Sequence, residues 1–121
     1  MINVSKSAET LQDGITNMMA GAKDDYKQNS LMNKNRELST YCKEKLENFE
    51  SQTTVREGKK YIKVIYDRSV FAFIVKEDFK HFKKGDVLKP AGWAAPALNQ
   101  SRGNVLEGNY PIQWTGPLYL K

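Results

Sequence analysis

The run Tyr61-Ile62-Lys63-Val64-Ile65-Tyr66-Asp67-Arg68-Ser69-Val70-Phe71-Ala72-Phe73-Ile74-Val75 decides the fold class. In its first six residues Ile62, Val64 and Tyr66 point one way and make a wholly apolar face, while Tyr61, Lys63 and Ile65 point the other. A second β-branched and aromatic run begins at Val70, and Asp67-Arg68-Ser69 is short, so the spacing predicts an antiparallel hairpin. Further on, Lys83-Lys84-Gly85-Asp86 reads as a turn into a short strand, Val87-Leu88, which Pro90 ends or confines to an edge. Residues 76–84 are dense in Lys and carry Phe79 and Phe82, which predicts a loop or single helical turn that buries two rings. Gly92-Trp93-Ala94-Ala95-Pro96-Ala97 is too rich in Gly, Ala and Pro for a regular strand and reads as a loop ordered by Trp93. Val105-Leu106 and Ile112-Gln113-Trp114 are expected as short strands around the Gly108-Asn109 turn, with Leu118-Tyr119-Leu120 as a docked tail.

Upstream of the hairpin the period changes from two to helical. Leu11, Ile15, Met18, Met19 and Ala22 form one stripe behind possible caps at Ser5 and Ser7. Gly14 and Gly21 lie inside it at a cost of roughly 1 kcal/mol each against Ala, unless they let another backbone approach closely. Asp24-Asp25 and Asn29-Ser30 interrupt the pattern, and a second helix is expected from residue 30, with Leu31, Leu38, Tyr41, Cys42, Leu46 and Phe49 on one side. Two such helices must pack on the sheet or on another subunit. The fold expected is therefore α+β: two N-terminal helices followed by a small antiparallel β-sheet domain. Residues 1–50 would be a helical oligomerisation segment, and residues 51–121 the β domain with a ligand pocket.

A chain of 121 residues holds one modest core. No apolar run approaches the ~20 residues of a membrane helix, and Lys6 has no apolar segment behind it to make a secretory signal, so a cytoplasmic setting is expected. Charge is unevenly spread. Residues 1–50 carry seven Lys/Arg against eight Asp/Glu, whereas residues 51–121 carry twelve against six. The positive excess of the second part implies an anionic partner or a solvated basic face. One His and one Cys cannot make a tetrahedral metal set, His81 reads as a surface residue, and Cys42 reads as a partly buried thiol. No catalytic triad or glycine-rich phosphate loop is signalled, so no cofactor is implied and an enzyme is disfavoured.

What remains is a looser constellation. Arg68 and Arg102 offer guanidinium forks for phosphate, Trp93 or Phe71 offers a stacking ring, and Ser69, Asn99 and Asn104 can bond a sugar or base. Each has an ordinary structural role as the alternative: Trp93 as a core ring, Arg102-Gly103-Asn104 as a simple turn. The run of motifs Arg68-Ser69-Val70, Gly85-Asp86-Val87-Leu88-Lys89, Ala91-Gly92-Trp93, Ala95-Pro96-Ala97, Arg102-Gly103-Asn104 and Gly116-Pro117-Leu118-Tyr119-Leu120 resembles a set of small tailed-phage and prophage proteins. The chain is also similar to the phage proteins that defeat Thoeris immunity by sequestering its cyclic ADP-ribose-type signal. That resemblance implies helices ahead of a small sheet domain, a homo-oligomer, and a nucleotide held between subunits in the cytoplasm of an infected bacterium. The competing expectation is a basic accessory protein that binds nucleic acid or an acidic host protein.

Overall fold

The computed structural model describes residues 2–33, 44, 47–49, 51–98, 100–113 and 116–117. The predicted hairpin forms as β3 (Tyr61–Tyr66) and β4 (Ser69–Val75), antiparallel, with Tyr66 opposite Ser69. Only Asp67 and Arg68 connect them, both at positive φ (48° and 70°), which is the left-handed geometry a two-residue hairpin loop needs to match strand twist. Between Val64 and Ile65 the register shifts by a β-bulge, since Val64 faces Ala72 and Ile65 faces Val70. The extra residue is Phe71, and both Phe71 and Ala72 join the main core.

The hairpin extends on both sides into a four-stranded antiparallel sheet, in the order β2 (Thr53–Glu57), β3, β4, β5 (Val87–Leu88). A separate pair joins β1 (Ile2–Val4) to β6 (Tyr110–Ile112), with Ile2 opposite Ile112. One α-helix, α1 (Leu11–Asn33), lies against that pair. Its start is capped by Thr10, whose Oγ1 accepts the N–H of Asp13 at 3.1 Å, rather than by Ser5 or Ser7. Gly14 is there for contact: a Cβ on it would sit 2.7 Å from both Cβ and the carbonyl oxygen of Val105.

These elements correct the expected α+β plan of two N-terminal helices followed by one sheet domain. The protein is mostly sheet with one helix among its described residues, and a strand precedes the helix. The helix also runs unbroken through Asp24-Asp25 to Asn33. The propensity cost of those residues is a few tenths of a kcal/mol each, less than the packing that holds the stripe in place. Most of the second predicted helix (residues 34–43, 45, 46 and 50) lies outside the described residues, as do Trp114 and the tail at 118–120.

The predicted stripe packs within its own chain. Ile15, Met18, Met19 and Ala22 share a core with Ile62, Val64, Tyr66 and Ile74 of the sheet and with Val4, Val105 and Ile112. A second, smaller cluster on the opposite face joins Phe73, Val75, Phe82 and Leu88, with Tyr61, Val70 and Phe79 at its margin. Phe79 and Phe82 come together because each donates its N–H to the other's carbonyl (3.1 and 2.8 Å), so residues 76–84 form a loop and not a helical turn.

Candidate functional site

Residues 102–105 pair with the far side of β5. Val87 N–H donates to the Gly103 carbonyl, Arg102 N–H to the Val87 carbonyl, and Val105 N–H to the Gly85 carbonyl. Asn104 is buried at the centre of this junction. Its Nδ2 donates to the Lys84 carbonyl (2.9 Å) and to Asp86 Oδ1 (3.0 Å), while its Oδ1 accepts the N–H groups of Leu106 and Glu107. Asp86 Oδ2 in turn accepts the Lys83 N–H. All of Asn104's hydrogen-bonding capacity is used, so it is a structural residue and not a contact for ligand. It also turns the chain at Val105-Leu106, where a strand was expected. Gly103 has φ 151°, and a Cβ there would lie 2.5 Å from Tyr110 Cβ. The Gly85-Asp86-Val87 and Arg102-Gly103-Asn104 motifs are thus two halves of one structural joint.

Phe71 is likewise committed, buried in the main core by the bulge. Ser69 is exposed beside Arg68 but does not line the groove that Arg68 enters. Asn99 lies outside the described residues. Arg102 is half-buried beyond β5, where its Nη1 donates to the Gln100 carbonyl at 2.7 Å. It stands near Lys89, whose pKa is lowered by burial and then by the Arg102 charge, and whose Nζ donates to the Pro117 carbonyl.

Arg68 and Trp93 are the pair that converge. They line one groove of about 400 Å³ on the outer face of the sheet, together with Ser51, Gln52, Thr54, Arg56, Ile65 and Asp67. Its floor follows from the β2–β3 register. Thr54 pairs with Ile65 and Arg56 with Lys63, which puts all four on the face opposite α1. Its overhang is the loop after β5. Ala91 and Gly92 N–H both donate to the Ala95 carbonyl, Pro90 bridges Pro96, and Ala97 N–H returns to the Lys89 carbonyl. Trp93 at the tip is 52% exposed, and the Lys63 ammonium lies 4.5 Å from its ring centroid. Lys63 also reaches the Phe73 ring at 5.8 Å, so one cation ties the loop to the sheet.

Three cations therefore gather here: Arg56 and Arg68 line the groove with Trp93, Lys63 lies against the indole, and Asp67 is the one carboxylate among the described lining residues. Among the described residues neither guanidinium has an ion-pair partner. Arg68 holds a position at φ 70° that glycine fills more easily, a strain of order 1 kcal/mol that the fold tolerates with a charged side chain at the groove mouth. The sequence reading missed Arg56, Lys63 and Thr54. Their place follows from the β2–β3 pairing, which sets Arg56 beside Lys63, and residues 53–57 by themselves carry no apolar–polar alternation to mark the strand. The groove brings Trp93 together with Arg68, and Arg102 does not line it.

Among the described residues no group of three or more His, Cys, Asp or Glu side chains could hold a metal ion, and no helix is long and apolar enough to cross a membrane. The model of a family of unknown function (DUF7717) matches residues 2–120. No curated protein and no solved structure matches the chain.

Proposed function

We propose that this chain, which belongs to the DUF7717 family of unknown function, is a non-enzymatic binding protein that captures a small anionic nucleotide in the outer-face groove. The observation that carries this reading is the convergence of a strained Arg68 and a half-exposed Trp93 on one cleft. The guanidiniums of Arg68 and Arg56 take the phosphate oxygens, with charge-assisted bonds about twice as strong as neutral ones. Trp93, held on Lys63, offers its ring to a base, a contact worth roughly 1–3 kcal/mol. Thr54, Ser51 and Gln52 supply hydroxyl and amide groups for ribose. A cleft of about 400 Å³ is within the range of about 300–1,000 Å³ typical of small-ligand sites. The bridged loop 90–96 sets the overhang before the ligand arrives, which lowers the ordering cost of capture. In the setting that the phage resemblance implies, the ligand is a cyclic ADP-ribose-type immune signal, and the protein sequesters it in the cytoplasm of the infected host.

The test is to mix purified protein with a panel of cyclic and linear nucleotides, separate the complex, denature it, and analyse what is released. The expected result is one class of nucleotide recovered intact at a fixed ratio to protein, and lost with Arg68→Ala or Trp93→Ala. Absence of any retained nucleotide at micromolar protein would refute the reading.

A second reading is favoured by one observation. The Lys-rich loop at residues 76–84 lies beside the start of β3, where Lys76 N–H donates to the Lys60 carbonyl, so further cations adjoin the hairpin. A single-stranded nucleic acid tracking those lysines would show an affinity falling with salt at a slope of about 0.7 per phosphate neutralised. A mononucleotide would show a shallow slope.

A further inference from the structure

The two edges of the four-stranded sheet are treated differently. The β5 edge is covered by residues 102–105, whereas no described strand pairs with the far side of β2. Which backbone groups β2 leaves open follows from its register. Asp67 N–H donates to the Gln52 carbonyl (3.1 Å) and Gly58 N–H to the Tyr61 carbonyl (2.8 Å), so the bonded pairs of this ladder fall at 52, 54, 56 and 58. Thr53, Val55 and Glu57 therefore turn their N–H and C=O groups outward. Their side chains line, with Leu11, Ile15 and Met19 of α1, an open apolar groove of about 620 Å³. Val55 stands 49% exposed at the centre of this edge.

We propose that two copies of this chain associate through β2, antiparallel to itself and centred on Val55. Ile15, Met18, Met19 and Ala22 of α1 are already buried in their own core, and among the described residues the outer side of β2 is the open edge of the four-stranded sheet. The register is set by complementarity. With Val55 opposite Val55, all three outward-facing residues of each strand find a partner, Thr53 meets Glu57, and Thr54 meets Arg56. No like charges stand directly opposite each other. Sliding by one bonding position places Arg56 against Arg56 or leaves an end unpaired. Pairing at Val55 also sets a second valine beside the first at the mouth of the apolar groove. On the other face, Arg56 of the second copy stands next to Thr54 and enters the basic groove, so two grooves merge into one twofold trough. This last consequence rests on the nucleotide reading; the pairing does not.

The experiment uses the full chain without nucleotide. Sedimentation equilibrium from about 1 to 100 µM should give the mass of a dimer. In a Cys42→Ser background, Val55→Cys should cross-link under mild oxidation, because bonded antiparallel partners have Cα atoms about 5.5 Å apart, inside the disulfide range. Glu57→Cys should cross-link at least about ten times more slowly, since its two copies would lie about 13 Å apart along the strands. Val55→Glu, which sets two carboxylates face to face, should be monomeric and still melt in one cooperative transition, at a temperature lowered only by the lost association. A monomer throughout the range, equal cross-linking at both positions, or a Val55→Glu dimer would each overturn the pairing. Because mass and cross-linking are read with no nucleotide present, failure of nucleotide retention falls on the ligand reading alone.

Discussion

The inner face of the four-stranded sheet carries Ile62, Val64, Tyr66, Ala72 and Ile74, closed over by α1 and the β1–β6 pair. The outer face has a small aromatic cluster at one end and, towards β2, a cleft bordered by Arg56, Lys63, Arg68 and Trp93. The same strands serve both, since neighbouring residues on a strand point to opposite sides. Substitutions on alternate residues should therefore have separable effects: inner ones on folding, outer ones on binding. That separation also gives meaning to the strain at Arg68, because a residue kept at a glycine-like φ beside the cleft contributes little to the inner core.

The largest expected effect is on the inner face. Ile74→Ala removes a fully buried side chain and should destabilise the protein by about 3 kcal/mol, seen as a markedly lower denaturation midpoint with an unchanged slope. Asn104→Ala should come next, at about 2 kcal/mol, because it leaves the Asp86 carboxylate, the Lys84 carbonyl and two amides without their partner. Gly14→Ala gains about 1 kcal/mol in helix propensity yet meets Val105 at 2.7 Å, so a net loss of stability is expected in thermal melts; a gain would mean α1 can move off the sheet. On the outer face, Trp93→Ala should change stability by less than about 0.5 kcal/mol but weaken nucleotide retention about tenfold or more. Arg68→Gly should act on folding with the opposite sign, a gain of up to about 1 kcal/mol as the positive φ is relieved, together with loss of binding. A variant that lost both stability and binding would blur the contrast between the faces.

How much of this was legible in the sequence depended on the range of the interactions. The β3–β4 hairpin, the β5 strand and the stripe of α1 were readable because their patterns are local and periodic. β1 was not, since Ile2-Asn3-Val4 is too short to show a period and its partner, Ile112, lies at the far end of the chain. β2 was missed because an edge strand with an open groove on one side and cations on the other shows no clean alternation of apolar and polar residues. The bulge that sends Phe71 inward also cannot be read from alternation, which is why a ring suited to stacking proved to be core. In the site, residue chemistry named Arg68 and Trp93, which line one groove, together with Arg102 and Asn104, which do not. Their hydrogen bonds commit that segment to the opposite edge of the sheet.

The most direct test of the outer face as the ligand site is a nucleotide titration followed by amide and indole chemical shifts. The account predicts saturable shifts at Thr54, Arg56, Lys63, Arg68 and the Trp93 indole, with Ile62, Val64 and Ile74 unmoved. No saturable shift with any nucleotide of the panel, or shifts gathered around Lys89 and Arg102 instead, would contradict it.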